Sequence, residues 1–229
     1  MIVRMGLLTR RPDLTPEQFR HRWLAVHGPL AARLPGLRAY HQNHVVDSGQ
    51  LGITFARGDW DLDGFSELWF GDRGSMRRAV ASEAYAAAAA DARHCMGSTR
   101  VVVAEQQVVV PLPADGGPLV KRMSLLKRRP EHDEACFRHE WWTVHAPMAE
   151  RFPHLAGYTQ NLIVDREASP GASSPYGAVP ADGIVEMWFR DVGGLQAAFA
   201  SDAARAAQAH AREFIAEITT FLVDPREVL

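Results

Sequence analysis

Residues 10–47 of this chain read RRPDLTPEQFRHRWLAVHGPLAARLPGLRAYHQNHVVD, and residues 128–165 repeat the stretch as RRPEHDEACFRHEWWTVHAPMAERFPHLAGYTQNLIVD. The offset is a constant 118 residues without a gap, and 19 of the 38 positions are identical. Self-similarity of this kind indicates a repeated structural unit, so we expect two copies of one design in the chain.

The repeat continues beyond this stretch. The segment DGFSELWF at residues 63–70 matches DGIVEMWF at residues 182–189, now at an offset of 119. Between the copies, residues 111–118 read PLPADGGP, and this density of Pro and Gly is typical of a linker. The sequence therefore predicts one domain at residues 1–112 and a second at 113–229, called half one and half two below.

Composition excludes several classes of protein. The 229 residues are 47% hydrophobic and 23% charged, which is the balance of a folded globular chain. Lys plus Arg number 25 against 27 Asp plus Glu, for a net charge of -2, so nothing favours a nucleic-acid partner. Two cysteines are too few for a disulfide framework, and no apolar run reaches the roughly 18 residues that span a bilayer. We expect a cytoplasmic protein that does not enter a membrane.

Each half reads as strand, helix, strand, strand, helix, strand. Thr15 is a helix N-cap, followed by Pro16 and then by Gln18 in a capping-box position, and Asp133 is the equivalent cap in half two. Pro29 is expected to bend or end this helix. The predicted elements of half one are strands at 3–9, 40–47, 65–70 and 101–110, the helix that begins after Thr15, and a second helix at 75–92.

Alternation along the third strand assigns its two faces. Ser66, Leu68 and Phe70 suit a face packed under helices, whereas Glu67 and Trp69 point the other way. A βαββαβ unit covers only one face of its sheet with helices, so two copies are expected to pack their bare faces together. The fold predicted from the residues is a barrel-like α+β sandwich. Its interior would hold Glu67, Trp69, Glu186 and Trp188.

The order of four motifs resembles the EthD domain, a member of the dimeric α+β barrel group. The motifs are RRPxxxxxxFRHxW, VHGPL or VHAPM, YxQNxxVD, and DGxxELWF or DGxxEMWF. The resemblance implies that this chain is a fused pseudo-dimer. Its fold class would then be α+β, with tandem ferredoxin-like βαββαβ repeats that form an intramolecular dimeric α+β barrel. A homodimer of such chains stays possible. Relatives include methylmuconolactone isomerases and fungal polyketide-pathway decarboxylases or dehydratases. They imply acid-base chemistry without an organic cofactor, and the recurrent histidine of the family matches His27 and His145.

Four residues are candidate catalytic groups. His27 and His145 titrate near neutrality and can both take and return a proton. Glu67 and Glu186 would be carboxylates in an enclosed space, where desolvation raises the pKa of a carboxyl group. The alternative for each histidine is a hydrogen bond to the backbone at a helix end. For each glutamate it is an ion pair with an inward arginine, from Arg4 or Arg122 on the first strands.

The remaining candidates bind the substrate. Tyrosine and glutamine alternate on the second strand and could hydrogen-bond a carbonyl or phenol, although a core role for the tyrosines is an even alternative. His44 occurs only in half one, which favours half one as the active side. The long loops at 48–62 and 166–181 could cover the cavity mouths. The predicted substrate-binding residues are Tyr40, Gln42, His44, Trp69, Tyr158, Gln160 and Trp188.

Three functions are compatible with these residues. The first is a cofactor-free lyase or isomerase that acts on a hydrophobic, oxygenated aromatic or polyketide-like small molecule in the barrel. The second is a non-catalytic protein that binds such a molecule. The third is an oxygenase, with or without haem, by analogy of fold alone. The histidines show no close spacing with cysteine or carboxylate, so no metal site is predicted.

Overall fold

The strands of the computed structural model, which describes all 229 residues, form one antiparallel sheet. Each predicted strand is present, and several extend a few residues beyond the predicted ends. The strands are β1 (Ile2–Arg10), β2 (Leu37–Asp47), β3 (Gly64–Phe70), β4 (Met96–Val110), β5 (Val120–Arg128), β6 (Leu155–Ser169), β7 (Ala172–Ser173), β8 (Gly183–Phe189) and β9 (Ile215–Glu227).

The helices follow the caps that the sequence predicts. Thr15 accepts a hydrogen bond from the backbone of Gln18 while the Gln18 side chain accepts from the backbone of Thr15, and Asp133 caps the equivalent helix. The predicted helix at 75–92 is instead two helices, because Ser82 starts a new one by capping Tyr85. The helices are α1 (Pro16–Arg22), α2 (Gly28–Ala31), α3 (Arg73–Val80), α4 (Glu83–Ala92), α5 (Glu134–His139), α6 (Ala146–Ala149), α7 (Val192–Ala200) and α8 (Asp202–Phe214).

Pro29 does not end the first helix. The chain passes from α1 through a π-helical turn, Trp23–His27, directly into α2, where Pro29 occupies the second position. Half two repeats this path with a π-helical turn at Glu140–His145 between α5 and α6. A proline near a helix start lacks only a hydrogen bond that is missing there anyway, so the direction of the chain is kept.

The sheet closes into a barrel of eight strands. Their order is β4-β1-β3-β2-β9-β5-β8-β6, and β6 pairs back with β4 to close the ring, while the short β7 adds to β6 outside it. The two seams join the halves reciprocally, because β9 of half two pairs with β2 and β4 of half one pairs with β6. The fold is therefore the predicted α+β barrel built by two copies of one unit.

The faces of the barrel strands divide as alternation predicts. On β3, Glu67 and Trp69 point into the barrel, and Leu68 and Phe70 pack under the helices of half one. Loops also contribute side chains to the interior of the barrel. Trp60 and Leu62 from the loop after β2 join the core inside the barrel, as does Val179 from the loop before β8. Neither loop is an independent lid, because each adds side chains to the barrel core.

No helix of the chain combines the length and the apolar character needed to cross a membrane.

Candidate active site

The inside of the barrel holds a buried ion cluster. Lys121 of β5 places Nζ 2.9 Å from Glu67 Oε2 and 2.6 Å from Glu186 Oε2. The same ammonium group donates to Asn43 Oδ1 at 2.9 Å. The carboxylates also accept hydrogen bonds from amides, Glu67 from Asn43 Nδ2 at 2.7 Å and Glu186 from Asn161 Nδ2 at 2.5 Å. One lysine thus serves both candidate glutamates.

Electrostatics make the two glutamates unequal. Burial alone would lower the pKa of Lys121, but Glu186 and Glu67 raise it above its ordinary value. Burial opposes ionisation of Glu67 as well, yet Lys121 lowers the pKa of this carboxyl group. The pKa of Glu186 is raised, because burial and the negative charge of Glu67 outweigh Lys121. The alternative of an arginine partner is wrong, since Arg4 and Arg122 lie on the helix-facing side of the sheet, with Leu68 and Met187 as their strand neighbours.

None of the five main cavities lies around these glutamates. A cavity of about 350 Å³ between the halves is lined instead by Trp60, Arg100, Lys127 and Glu217. A cluster of 17 buried apolar side chains fills the barrel, and none of the five main cavities is lined by Glu67, Glu186, Trp69 or Trp188. The placement of these four residues inside the barrel is confirmed, but the expected substrate cavity in the barrel is wrong. The reason is volume, because loop side chains such as Trp60 complete the packing of the interior.

The two cavities lined by the candidate histidines lie on the opposite face of the sheet, between the barrel and the helices. In half one, a cavity of about 360 Å³ opens beside His27 at the end of the π-helical turn. Its apolar wall includes Leu8, Trp23, Leu34 and Leu68. Its polar side chains are Arg4, His27, Tyr40, Ser66, Tyr85, Arg93, Ser98 and Thr99. A cavity of this size, mostly apolar with a few converging polar groups, suits a small-molecule ligand.

The π-helical turn that carries His27 is fixed from the sheet below. Gln42 Nε2 donates to the carbonyl oxygen of Trp23 at 2.8 Å and to Tyr40 Oη at 2.8 Å. The same contacts recur in half two. Gln42 is fully buried and does not line the cavity, so it positions the turn without contacting a ligand. Turns of this kind are frequent at functional sites, because they aim a side chain that a regular helix would point elsewhere.

His27 is paired with a carboxylate. Its Nδ1 lies 3.4 Å from Asp91 Oδ2 on α4, and the other oxygen of Asp91 accepts from Arg22 at 2.5 Å. At this distance Nδ1 and Oδ2 are both buried without a hydrogen bond, whereas Nε2 of His27 is not among the buried atoms without a partner. Burial lowers the pKa of His27 from its ordinary value, Asp91 opposes this effect, and Arg22 adds to it. The imidazole is therefore neutral at neutral pH, with Nδ1 directed at Asp91 and Nε2 available as a base.

Tyr40 supplies a hydrogen-bond donor in the same wall. Its hydroxyl accepts from Gln42, which leaves the hydroxyl proton free to donate. Burial raises the pKa of Tyr40, so the phenol stays protonated. A protonated phenol beside a neutral imidazole can stabilise negative charge on an oxygen while the imidazole holds the proton.

Half two places the same frame around different chemistry. His145 ends the second π-helical turn, but the residue equivalent to Asp91 is His210, whose Nδ1 lies 3.4 Å from His145 Nδ1. His210 Nε2 in turn lies 3.1 Å from Glu140, which stands where half one has Arg22. Burial, with a contribution from His210, lowers the pKa of His145 to about 4. The imidazole of His145 has no carboxylate to orient it.

The half-two cavity is also nearly filled, with a volume of about 60 Å³. Half one has Ser66 and Leu34 where half two has the larger Val185 and Phe152. Ile53 and Phe55 from the loop of half one complete the apolar lining. The prediction that a loop covers a cavity mouth applies here, where the loop of one half closes the cavity of the other.

The predicted site residues therefore do not form one site. His27 and Tyr40 line the half-one cavity, and His145 and Tyr158 line the half-two cavity. Gln42 and Gln160 hold the turns, and His44 packs on the outer side of Trp23 at a ring distance of 4.6 Å. Trp69 and Trp188 lie inside the barrel with the glutamates, where Trp69 donates to Gln106 and Trp188 lies under Lys121.

Sequence reasoning missed Asp91 and Lys121. Asp91 is a single charged residue within AAAAADA, and Lys121 shares its strand face with the apolar Met123 and Leu125. A charged residue among apolar neighbours on a buried face needs a partner of opposite charge, and this pattern can be seen in the sequence for both residues. The partners themselves come from elements distant in sequence, and only the fold brings them together.

Comparison with known proteins places these features in a family. The EthD domain model matches residues 11–98 and again residues 129–218. A comparison with curated proteins found no match. An anthrone oxidase-like protein of known structure is 12% identical, covers 99% of this chain and 93% of its own, and has a TM-score of 0.66. A provisionally named monooxygenase from Lactobacillus acidophilus NCFM is 9% identical, with 98% and 93% coverage and a TM-score of 0.58.

A third structure, an EthD family protein from Bacillus halodurans C-125, is 25% identical. It covers 48% of this chain and 96% of its own, with a TM-score of 0.35.

Proposed function

Because this chain belongs to the EthD family, with two tandem EthD domains, we propose that it catalyses proton transfer on a hydrophobic, oxygenated small molecule without an organic cofactor. The substrate is an aromatic or polyketide-like compound, and it binds in the half-one cavity rather than inside the barrel. The outcome of the proton transfer is an isomerisation, a dehydration or a decarboxylation. The observation that carries the proposal is the imidazole of His27, with Nδ1 3.4 Å from Asp91 Oδ2, in the wall of a cavity of about 360 Å³.

The residues take distinct roles. His27 Nε2 removes a proton from a carbon next to a carbonyl group, and Asp91 orients the ring and stabilises the imidazolium that forms. Tyr40 donates to the substrate oxygen, where negative charge develops. In an isomerisation His27 then returns the proton to a different carbon, and in a dehydration it gives the proton to the departing hydroxide, which leaves as water. In a decarboxylation no C–H proton is removed first: CO2 leaves, Tyr40 stabilises the enolate that remains, and water supplies the proton to carbon. His145, Glu67 and Glu186 take no part in this scheme, because none of them lines the half-one cavity.

Hydrogen exchange of a carbon acid tests this proposal directly. Anthrone and 2-tetralone are planar ketones with acidic C–H bonds, and their exchange in D2O under nitrogen can be followed by proton NMR. The wild-type protein is expected to accelerate exchange, and His27→Ala to lose at least about 100-fold of that acceleration. His145→Ala is the matched control and should retain it within about threefold. A wild-type protein that binds the ketones without accelerating exchange would support the non-catalytic binding function instead.

A second candidate is an oxygenase, in which the carbanion formed by His27 reacts with O2. In that reaction a CH2 group and O2 give a ketone and water, so O2 is the only co-reactant. The names of two structures that share this fold, an anthrone oxidase-like protein and a provisional monooxygenase, favour it. Oxygen uptake with anthrone in air distinguishes the two, because a lyase or isomerase consumes none. A visible spectrum after addition of haem tests the haem-dependent version.

A further inference from the structure

We propose that the substrate of the half-one cavity carries a carboxylate, and that Arg4 binds this group in exchange for Glu167. The inference deepens the proposed function, on which it rests for the identity of the cavity. It concerns the class of molecule that binds, whereas the proposed function concerns the proton that moves. The carrying observation is a buried guanidinium group in the cavity wall whose counter-ion comes from the other half of the chain.

Arg4 has bonding capacity left toward the cavity. Its Nε donates to Glu167 Oε2 at 3.0 Å, and one terminal nitrogen, Nη2, donates to Tyr85 Oη at 3.2 Å. The other terminal nitrogen, Nη1, donates to no group of the protein, yet it is not sealed from solvent. Tyr85 also lies beside the guanidinium, 5.4 Å from ring centroid to Arg4 Cζ. An arginine held at one edge and open at the other is arranged to accept a planar oxyanion.

The charge of the wall favours an anion as well. Two arginines, Arg4 and Arg93, line the cavity together with His27, and no aspartate or glutamate is among its lining residues. Glu167 contacts Arg4 from outside this lining. A ligand carboxylate would therefore meet no like charge within the cavity itself.

The equivalent arginine in half two is closed off. Arg122 donates from Nη1 to the carbonyl oxygen of Leu51 at 2.9 Å and from Nη2 to that of Gln50 at 3.4 Å. Phe199 covers its face, with Cζ 4.2 Å from the ring centroid. The loop of half one thus occupies Arg122 with neutral carbonyl groups. Arg4 instead has a carboxylate partner, Glu167, and a ligand carboxylate can take its place without a change in charge.

Glu167 shares a cleft with other cations. The cleft, of about 60 Å³, is lined by Glu167 and Asp165 together with Arg73 and Arg77 of α3. When Glu167 leaves Arg4, these two arginines offset its charge. The exchange therefore lowers the main cost of breaking a buried ion pair, which is an unpaired charge in a dry site.

The strand register sets the length of the substrate. Arg4 and Tyr40 are both paired with Leu68, on opposite sides of β3, so they are two strands apart on one face. Neighbouring strands lie about 4.8 Å apart, which separates the two Cα atoms by about 10 Å. A carboxylate on Arg4 and a carbonyl group at Tyr40 then belong to opposite ends of a compact ring system.

Binding of matched probes tests the inference without any turnover. The probes are 2-naphthoate and its neutral counterpart 2-naphthamide, and titration calorimetry measures both dissociation constants at pH 7.5. We expect wild type to bind the acid at least about tenfold more tightly than the amide. Arg4→Gln should abolish this preference while the affinity for the amide stays within about threefold. Glu167→Gln should increase it by about threefold or more, because the competing carboxylate is gone.

Several results would overturn the inference. The first is that wild type binds the two probes equally or binds neither. The second is a preference for the acid that survives Arg4→Gln. The third is weaker binding of the acid by Glu167→Gln. Thermal unfolding checks that each variant is folded. If Arg4→Gln is unstable, Arg4→Lys replaces it. This variant keeps the positive charge, and part of the preference for the acid is expected to remain. Failure here leaves the hydrogen-exchange test intact, since anthrone and 2-tetralone carry no carboxylate. Conversely, an acid preference without exchange would refute only the proposed function.

Discussion

Half one and half two hold a histidine at the same point of the same frame, and they surround it in opposite ways. In both, a π-helical turn ends at the histidine and a buried glutamine holds the turn by a backbone carbonyl. His27 then meets a carboxylate and a cavity of about 360 Å³, whereas His145 meets a second imidazole and a cavity of about 60 Å³. The frame therefore fixes where the histidine lies, and the side chains around it decide how much space and which charges surround it.

The inside of the barrel repeats this asymmetry with a single residue. Lys121 faces both glutamates from half two, and the equivalent position in half one is Val3. One lysine contacts both side chains, and the raised pKa of Glu186 reduces the negative charge that it has to offset, so a second lysine is unnecessary. Half two thus provides the interior cation, and half one provides the open cavity.

The largest expected effect comes from removing that cation. Lys121→Met leaves Glu67 and Glu186 buried without a counter-ion and should lower the free energy of unfolding by about 3–5 kcal/mol at pH 7.5. The carboxyl groups then have raised pKa values in the folded state, so stability should be greatest at acid pH and fall as the pH rises above their unfolded values. Denaturant unfolding between pH 5 and 8 measures both effects.

A matched variant tests the symmetry itself. In the double variant Val3→Lys with Lys121→Val the cation is moved to the equivalent strand position of half one, beside Trp69 instead of Trp188. Most of the lost stability should return. A single variant Lys121→Met within about 1 kcal/mol of wild type would show that the cluster is not held by its charges.

The two glutamines give the next effect. Gln42→Leu and Gln160→Leu each remove the donor to a buried carbonyl oxygen and a buried tyrosine, and each should lower the free energy of unfolding by about 1–3 kcal/mol. Only Gln42→Leu should also slow the exchange of anthrone, because only this turn carries the proposed base. Equal loss of exchange in both variants would contradict the assignment of activity to half one.

A smaller change exchanges the linings of the cavities. Leu34→Phe with Ser66→Val gives half one the side chains of half two and should weaken binding of 2-naphthoate by about tenfold or more through loss of space. The melting temperature should be kept, since the same side chains already pack in half two. The reverse pair, Phe152→Leu with Val185→Ser, opens space beside His145 but should not produce exchange. Naphthoate binding unchanged in the first variant would place the ligand elsewhere.

How far the sequence alone leads depends on the kind of information. The constant offset between the two copies and the alternation along the strands predicted the barrel. The alternation also placed Glu67 and Trp69 inside it, because the face that a side chain occupies depends on its position along one strand. They could not show that the interior is full, since Trp60 and Val179 enter it from loops that the two halves do not share. The cavity under the helices and the pairing of His27 with Asp91 depend on how α4 crosses the π-helical turn, which no local pattern encodes.

The smallest expected effect concerns the charges around His27. The proposed base must be neutral, so the exchange rate should rise with pH through the pKa of His27, which burial lowers from its ordinary value, and reach a plateau at neutral pH. Asp91 raises this pKa and Arg22 lowers it, so Asp91→Asn should move the acid limb of the profile to lower pH, and Arg22→Gln should move it to higher pH. Rate profiles with 2-tetralone between pH 4 and 8 measure the limb, and NMR titration of the His27 ring gives the same pKa independently. Shifts in one common direction would mean that the two charges act on the profile through folding, because only a direct electrostatic effect on the imidazole gives opposite signs for the two variants.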